Sequence, residues 1–296
     1  MFFLTALALA AAPPPIVNGA PGTDYPAVAM LLMTNEEGEF GGWCSGSLVA
    51  DHWVLTAAHC VAEAGWYQPA HVYVTFAQEY DDASGSNTLE AVDWTAHDDY
   101  DPLHNTNDLA MVELPSNIGA RPLELAPEAP SGPDKGHDFR MVGFGAESDY
   151  DDNDAPTRQY ADVPLYDYDN QLLYTFDPDD GQNACWGDSG GPLLRLYDDG
   201  TWAIAGVMDY VSGCVGGALG ASRVDRDVDW IGTFTAGYTI HQRDDADTAD
   251  TADSAEERDT GSLVVPGTVC GTAPSAAGAL LAFAGLAAIR GRQRLS

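Results

Sequence analysis

Residues 185–192 read CWGDSGGP, a serine enclosed by glycines. Gly187, Gly190 and Gly191 permit a tight turn whose preceding backbone can offer N–H groups to an oxyanion, and they leave room for a substrate. A lone Gly-x-Ser-Gly is common in ordinary Gly-rich turns; this eight-residue string is not. A serine hydroxyl is a poor nucleophile until an adjacent base takes its proton, and imidazole suits that task near neutral pH. Ser189 therefore directs attention to the histidines.

The strongest partner is His59, within residues 55–60, LTAAHC. Ala57, Ala58 and Cys60 flank it, and Cys60 is positioned to bridge back to Cys44 in the upstream stretch CSGSL. Such a bridge closes a loop of about 16 residues, contributes very roughly 3 kcal/mol and fixes the strand-to-helix turn that carries the imidazole. Residues 107–114, NDLAMVEL, supply a third group. Asp108 precedes an apolar, strand-forming run, and a carboxylate carried towards an interior is costly unless it meets a partner. An imidazole N–H is such a partner. Taken alone, an Asn-Asp pair more often begins a turn.

From residue 16 to about 238 the chain alternates short strand-like runs with turn residues. Runs at 28–33, 47–54, 71–76, 109–114, 139–144 and 202–208 have the spacing of an all-β barrel or sandwich. The Pro- and Gly-rich stretch 126–136, APEAPSGPDKG, reads as a linker between two β subdomains. Val228, Trp230, Ile231 and Phe234 give residues 225–235 the spacing of a short closing helix. Twelve Lys and Arg against 46 Asp and Glu leave a formal net charge of −34, and Lys135 is the single lysine. A nucleic-acid partner needs a cationic surface, so that class is excluded. A salty habitat, cationic partners and solubility remain open as reasons for the acidity. Four of the five cysteines, Cys44, Cys60, Cys185 and Cys214, lie in the globular part, and Cys270 is left over. Four cysteines allow three connectivities.

The three motifs, in the order His59, Asp108, Ser189, resemble the chymotrypsin/trypsin family of serine proteases. The resemblance covers residues 16–237, roughly three quarters of the chain. It implies an all-β fold of two antiparallel six-stranded β-barrels, about 16–125 and 139–224, with the closing helix at about 225–235 and a cleft between the barrels. It also implies a serine endopeptidase acting on protein or peptide substrates through an acyl-enzyme, with no cofactor and no metal. By the same resemblance His59 and Asp108 come from the first barrel and Ser189 from the second. The N–H groups of Gly187 and Ser189 form the oxyanion hole, and such donors are each worth about 10²–10³ in rate. Phe144-Gly145 matches an aromatic-Gly pair that follows the linker, and Cys185–Cys214 matches a second disulfide. Ile16-Val17-Asn18-Gly19 then resembles a new N-terminus freed by cleavage. Its ammonium would pair with Asp188, a buried carboxylate that is costly without a partner, so the pairing works as an on-switch.

Several positions depart from the family pattern. Asn183 stands where trypsin-type members carry an acidic pocket base, so no fixed carboxylate awaits a Lys or Arg side chain. Asp209-Tyr210-Val211 replaces the usual Ser-Trp-Gly of the pocket wall, and Val211 should narrow the pocket. Leu219 falls where a second wall glycine often sits. The pocket therefore resembles that of elastase-like members, short and rather apolar, with small or aliphatic P1 residues preferred; the alternative is a basic P1 recruited by Asp209 and the negative field. Asp209, near Asp108, must turn away, take up a proton or meet a cation. No Lys or Arg precedes Ile16, so a trypsin-like activator has nothing to recognise there. Glu79, Asp81 and Asp82 lie in a loop where some relatives bind calcium, and in so acidic a chain they read as a solvated loop.

Residues 1–12 form an apolar stretch ending in small residues and read as a secretory signal without the usual basic start. Pro13-Pro14-Pro15 would break an apolar first strand. The expected layout is thus a signal and pro segment at 1–15, a protease domain at 16–238, an acidic linker at 239–269 and an apolar tail at 270–296. Within the linker, residues 244–262 contain DTADTADSA, which has almost nothing to bury and should be a disordered spacer. Cys270, the apolar run 276–289 and Arg290, Arg292 and Arg294 resemble the C-terminal sorting tails of myxobacterial surface proteins. The expected location is secreted, with membrane or envelope attachment through that tail. A protease-like surface binding protein without turnover is the rival reading, but such relatives usually lose a triad residue.

Overall fold

The computed structural model of the chain is described at residues 16–62, 68–85, 87–146, 156–179, 181–235 and 239–241. The expected signal 1–15, the acidic spacer 244–262 and the tail 270–296 lie outside the described residues. In chain order the strands begin with β1 Ala20–Pro21, β2 Val28–Thr34, β3 Phe40–Ala50, β4 Trp53–Thr56 and β5 His71–Thr75. Then come β6 Thr88–Glu90, β7 Asp93–Ala96, β8 Ala110–Glu113 and β9 Glu124–Leu125. The second half supplies β10 Asp138–Gly143, β11 Gln159–Tyr168, β12 Leu172–Thr175, β13 Pro192–Leu196, β14 Trp202–Val211 and β15 Leu219–Arg223. Two short α-helices, α1 Ala58–Val61 and α2 Val228–Phe234, and two 3-10 turns, Tyr80–Asp82 and Gly132–Asp134, complete the described elements.

The strands form two barrel-like sheets, antiparallel except where β9 pairs in parallel with β14. The first runs in the order β6-β5-β2-β3-β4-β8-β7. Its two ends, β6 and β7, are halves of one bent strand, because Ala91 N–H bonds Val72 while Val92 N–H bonds Glu113. The chain crosses there from one side of the sheet to the other and closes it, so seven strand segments make six staves. In the second sheet β10 to β15 form the ring, closed by pairing of β11 with β12. The two-residue strands β1 and β9 are additions to that ring, on β11 and β14. The expected pair of six-stranded barrels is what the described residues form.

Apolar alternation explains the strands. Along β11 every second residue from Gln159 to Leu165 is buried, which turns Ala161, Val163 and Leu165 to the core while Tyr160, Asp162 and Pro164 on the other face are only half-buried. Leu55 on β4 and Met111 on β8 lie opposite one another and are both fully buried. Truncating either to alanine should cost about 2–5 kcal/mol. One sequence reading needs correction. The apolar run 47–54 is not a single strand, because Asp51-His52 make a tight turn that folds β4 back on β3. Apolar content continues through a hairpin when its turn is only two residues long, and periodicity alone does not separate the two arms.

Candidate active site

The β4–β8 ladder places the first two functional side chains. Thr56 pairs with Ala110, so the antiparallel register brings the residues just after Thr56 beside those just before Ala110. His59 sits in the single turn of α1 and Asp108 two residues ahead of β8. Asn107 takes a left-handed conformation, φ 52°, which asparagine tolerates, and its amide donates to the Asp99 carbonyl. This kink aims Asp108 inward. The backbone N–H of His59 donates to Asp108 Oδ1 at 2.8 Å, and His59 Nδ1 lies 2.6 Å from Oδ2. Asp108 is 1% exposed. Burial pushes its carboxyl up, but the imidazole charge and the hydrogen bonds from His59 and Asp209 outweigh that and hold it below the ordinary carboxylate range. An ionised carboxylate only accepts, so the proton between them belongs to Nδ1 and Nε2 is left free to accept another.

The serine turn is pressed against this histidine turn. A Cβ on Gly190, φ +83°, would run into Thr56 Oγ1, the Ser45 carbonyl and the Ala57 backbone, directly ahead of α1. Only glycine permits that approach. Ser45 N–H donates to the Ser189 carbonyl at 2.7 Å, and Cys60 Sγ stands 3.9 Å from the same oxygen. Disulfides join Cys44 to Cys60 and Cys185 to Cys214, so one bridge braces each turn. Both fit a chain that folds in an oxidising, exported setting. Gly187 has φ +100°, and a side chain there would collide with the Trp43 indole. Among the described residues neither the Gly187 nor the Ser189 N–H donates to another protein group.

Sequence reasoning missed Ser45. Its buried hydroxyl donates to the Gly187 carbonyl and accepts from Phe144 N–H, each at 2.9 Å, and its carbonyl accepts Thr56 Oγ1 at 2.8 Å. One residue thus ties the first barrel to both segments around Ser189. A serine inside a strand has no local signature for such a role, because its partners lie 99 and 142 residues away.

Ile16 and Val17 are buried, and Val17 N–H bonds the Asn183 carbonyl at 3.0 Å. Asp188 is 0% exposed; its oxygens accept Gly145 N–H at 2.7 Å and Cys185 N–H at 2.8 Å. Burial outweighs those two bonds and pushes its carboxyl up to about 7. On the pocket side, Asn183 Nδ2 donates to the Gly213 carbonyl at 2.8 Å. Val211 and Leu219 face each other across β14 and β15, and Leu219 is fully buried in the apolar cluster that includes Ala184 and Ile16. Tyr210 covers Gly220, where any Cβ would press on its ring. Asp209 does not turn away: a carboxyl oxygen lies within 4.8 Å of both Asp108 and His59, and burial followed by the Asp108 carboxylate pushes its own carboxyl up. Tyr80–Asp82 form a short exposed 3-10 turn.

The chain matches the trypsin family over residues 16–231. Collagenase from Hypoderma lineatum is 31% identical over 214 residues, covering 64% of this chain and 75% of the relative. Brachyurin from Leptuca pugilator is 30% identical over 204 residues, covering 65% of this chain and 88% of the relative. Serine protease 1 of Drosophila melanogaster is 30% identical over 236 residues, covering 73% and 84% respectively. A solved structure of HL collagenase superposes with a TM-score of 0.59 at 26% identity, covering 74% of this chain and 98% of that one. With this match running through both barrels and both functional turns, the chain belongs to the trypsin family and is a serine endopeptidase.

Proposed function

We propose that His59, Asp108 and Ser189 are the catalytic triad of an endopeptidase that cuts after small or aliphatic residues. The observation that carries the reading is the two-point bond from His59 to Asp108, which leaves Nε2 as the free acceptor beside the serine turn. Ser189 Oγ attacks the scissile carbonyl as His59 Nε2 takes its proton. The resulting oxyanion accepts the N–H groups of Gly187 and Ser189, which no other protein group among the described residues uses. His59 then returns the proton to the leaving amine, and the acyl group stays on Ser189. Water, deprotonated by the same imidazole, attacks the acyl carbonyl and releases Ser189. Asp108 holds the Nδ1–H tautomer and offsets the positive charge on the ring in each transition state. Ser189→Ala should leave only residual rate; a variant retaining a tenth of wild-type activity on a peptide ester would overturn the assignment.

The pocket supports the specificity. The cross-strand pairing of Val211 with Leu219 and the bond from the Asn183 amide to the Gly213 carbonyl support a reading of the pocket as short, apolar and uncharged. Asp209 is engaged with Asp108, which argues against its recruiting a basic P1 side chain. For activation, burial of Ile16 and of Asp188, whose carboxyl burial pushes up, support pairing of a freed Ile16 ammonium with that carboxylate. The catalytic domain is residues 16–238, preceded by a signal and pro segment at 1–15. Thr239, Ile240 and His241 still pair with Leu125 of the domain, and beyond them the spacer, expected at 239–269, and the tail 270–296 tether it to the envelope, with Cys270 as the processing or lipid-attachment site. Wild-type protein should therefore fractionate with the cell envelope, while protein ending at Arg243 is released and active.

A further inference from the structure

Asp209 is an acid in a place where charge is costly. It lies on β14, 8% exposed, among His59, Asp108, Tyr100 and Tyr210. His59, Asp108 and Asp209 each offer a ligand-type atom within 4.8 Å of the other two. Two ionised carboxylates cannot hydrogen-bond, since each can only accept, so a bond between Asp108 and Asp209 contains one shared proton. Asp209 Oδ2 is buried and has no hydrogen-bond partner among the described residues. Left ionised, that oxygen would bear the desolvation cost of a bare charge. Among the described residues neither lysine nor arginine pairs with it. Tyr100 supplies no charge either, because burial first, then Asp108, Asp209 and Asp101, push its phenol up and keep it neutral.

The proton has a definite owner. Asp108 is held ionised by the imidazole and by the His59 backbone N–H. Asp209 lacks such donors, and burial followed by the Asp108 charge raises its carboxyl to about 9.

We propose that Asp209 is a positioning residue of the triad, a neutral carboxylic acid whose O–H donates to Asp108 and holds that carboxylate against His59. This rests on the triad reading above. The imidazole then faces one negative charge rather than two, and Asp108 gains a third donor without added charge.

The test uses active enzyme beginning at Ile16, with Asp209→Asn, Asp209→Ser and Asp209→Ala compared on a peptide ester across pH. Asparagine and serine can donate to Asp108 and cannot ionise. Asp209→Ala should lower kcat by at least about tenfold with KM unchanged, and the Asn and Ser variants should recover most of that loss. The acid limb of kcat/KM should stay in place in both. Were Asp209 charged in the wild type, removing that charge so close to the imidazole would move the acid limb down by about one pH unit or more. That shift, or an alanine variant with wild-type kcat, overturns the proposal. Activity that rises on adding a chelator would assign the cluster to a bound cation and overturn it as well. Infrared titration of the wild type reads the proton directly and needs no variant. A protonated-carboxyl band should persist at neutral pH in active enzyme and vanish in the alkaline range; its absence at neutral pH sinks the idea. Failure of the triad reading looks different, because Ser189→Ala would then keep its activity.

Discussion

Protein that retains residues before Ile16 should lose stability as pH rises from about 4 to about 7, and protein beginning at Ile16 should not. The perturbation is a single bond: while Ile16 is joined to Pro15 its nitrogen is an amide and carries no charge to Asp188. The Asp188 carboxyl then sits fully buried with only two backbone donors, and its pKa rises from 3.8 to about 7. A raised folded-state pKa means that the native chain binds a proton which the unfolded chain has already lost. That contribution is present in full below about 3.8 and disappears as pH rises through about 7. At about 1.4 kcal/mol per pH unit, the interval amounts to about 4 kcal/mol. In the cleaved form the Ile16 ammonium should pair with the carboxylate and remove the penalty. The assay is denaturant unfolding of both forms at several pH values, in a Ser189→Ala background that prevents self-cleavage. The two forms differ only before Ile16, so the other acids cancel in the comparison. Parallel stability profiles for the two forms would refute the reasoning, as would equal activity from protein starting at Pro13 and at Ile16.

Other outcomes follow from the same geometry. Ser45→Ala removes the hydroxyl that holds the Gly187 carbonyl and leaves the Phe144 N–H unpartnered, so it should cost about 1–3 kcal/mol in thermal or denaturant stability. It should also lower kcat more than it raises KM, because the turn that presents N–H groups to the oxyanion loses the anchor on its Gly187 carbonyl; a change confined to KM would count against that role. In a P1-scanned peptide library, Ala and Val should exceed Arg in kcat/KM, and a tenfold preference for Arg would reverse the pocket reading. Leu219→Gly should improve cleavage after larger apolar residues relative to Ala, and an unchanged ratio would remove Leu219 from the pocket wall.

What could be read in the sequence was local or strongly periodic. CWGDSGGP carries the glycine conformations of its own turn, and Gly187 and Gly190 do take positive φ. The apolar spacing from Val228 to Phe234 forms α2 as expected. Asp108 became legible only through its strand, because the register of β8 on β4 is what brings it to His59. Contacts between barrels were legible only in outline: the resemblance puts Asp209 near Asp108 and leaves three ways out, and which of them holds depends on side-chain placement that no local pattern records. Ser45 raised no question at all, since an alternating strand accepts serine without comment. The division of one strand into β6 and β7 was equally silent: closure of a sheet is a property of the whole ring, and Glu90-Ala91-Val92-Asp93 looks like any short connection.

The claim that His59 and Asp108 activate Ser189 as the nucleophile is tested most directly by a fluorophosphonate reacted with protein beginning at Ile16, followed by peptide mapping. One adduct is expected, on Ser189, forming quickly in wild type and about 10⁴ slower in Asp108→Asn, where the imidazole takes the wrong tautomer. An adduct on another residue, or equal labelling rates for the two proteins, would contradict the triad.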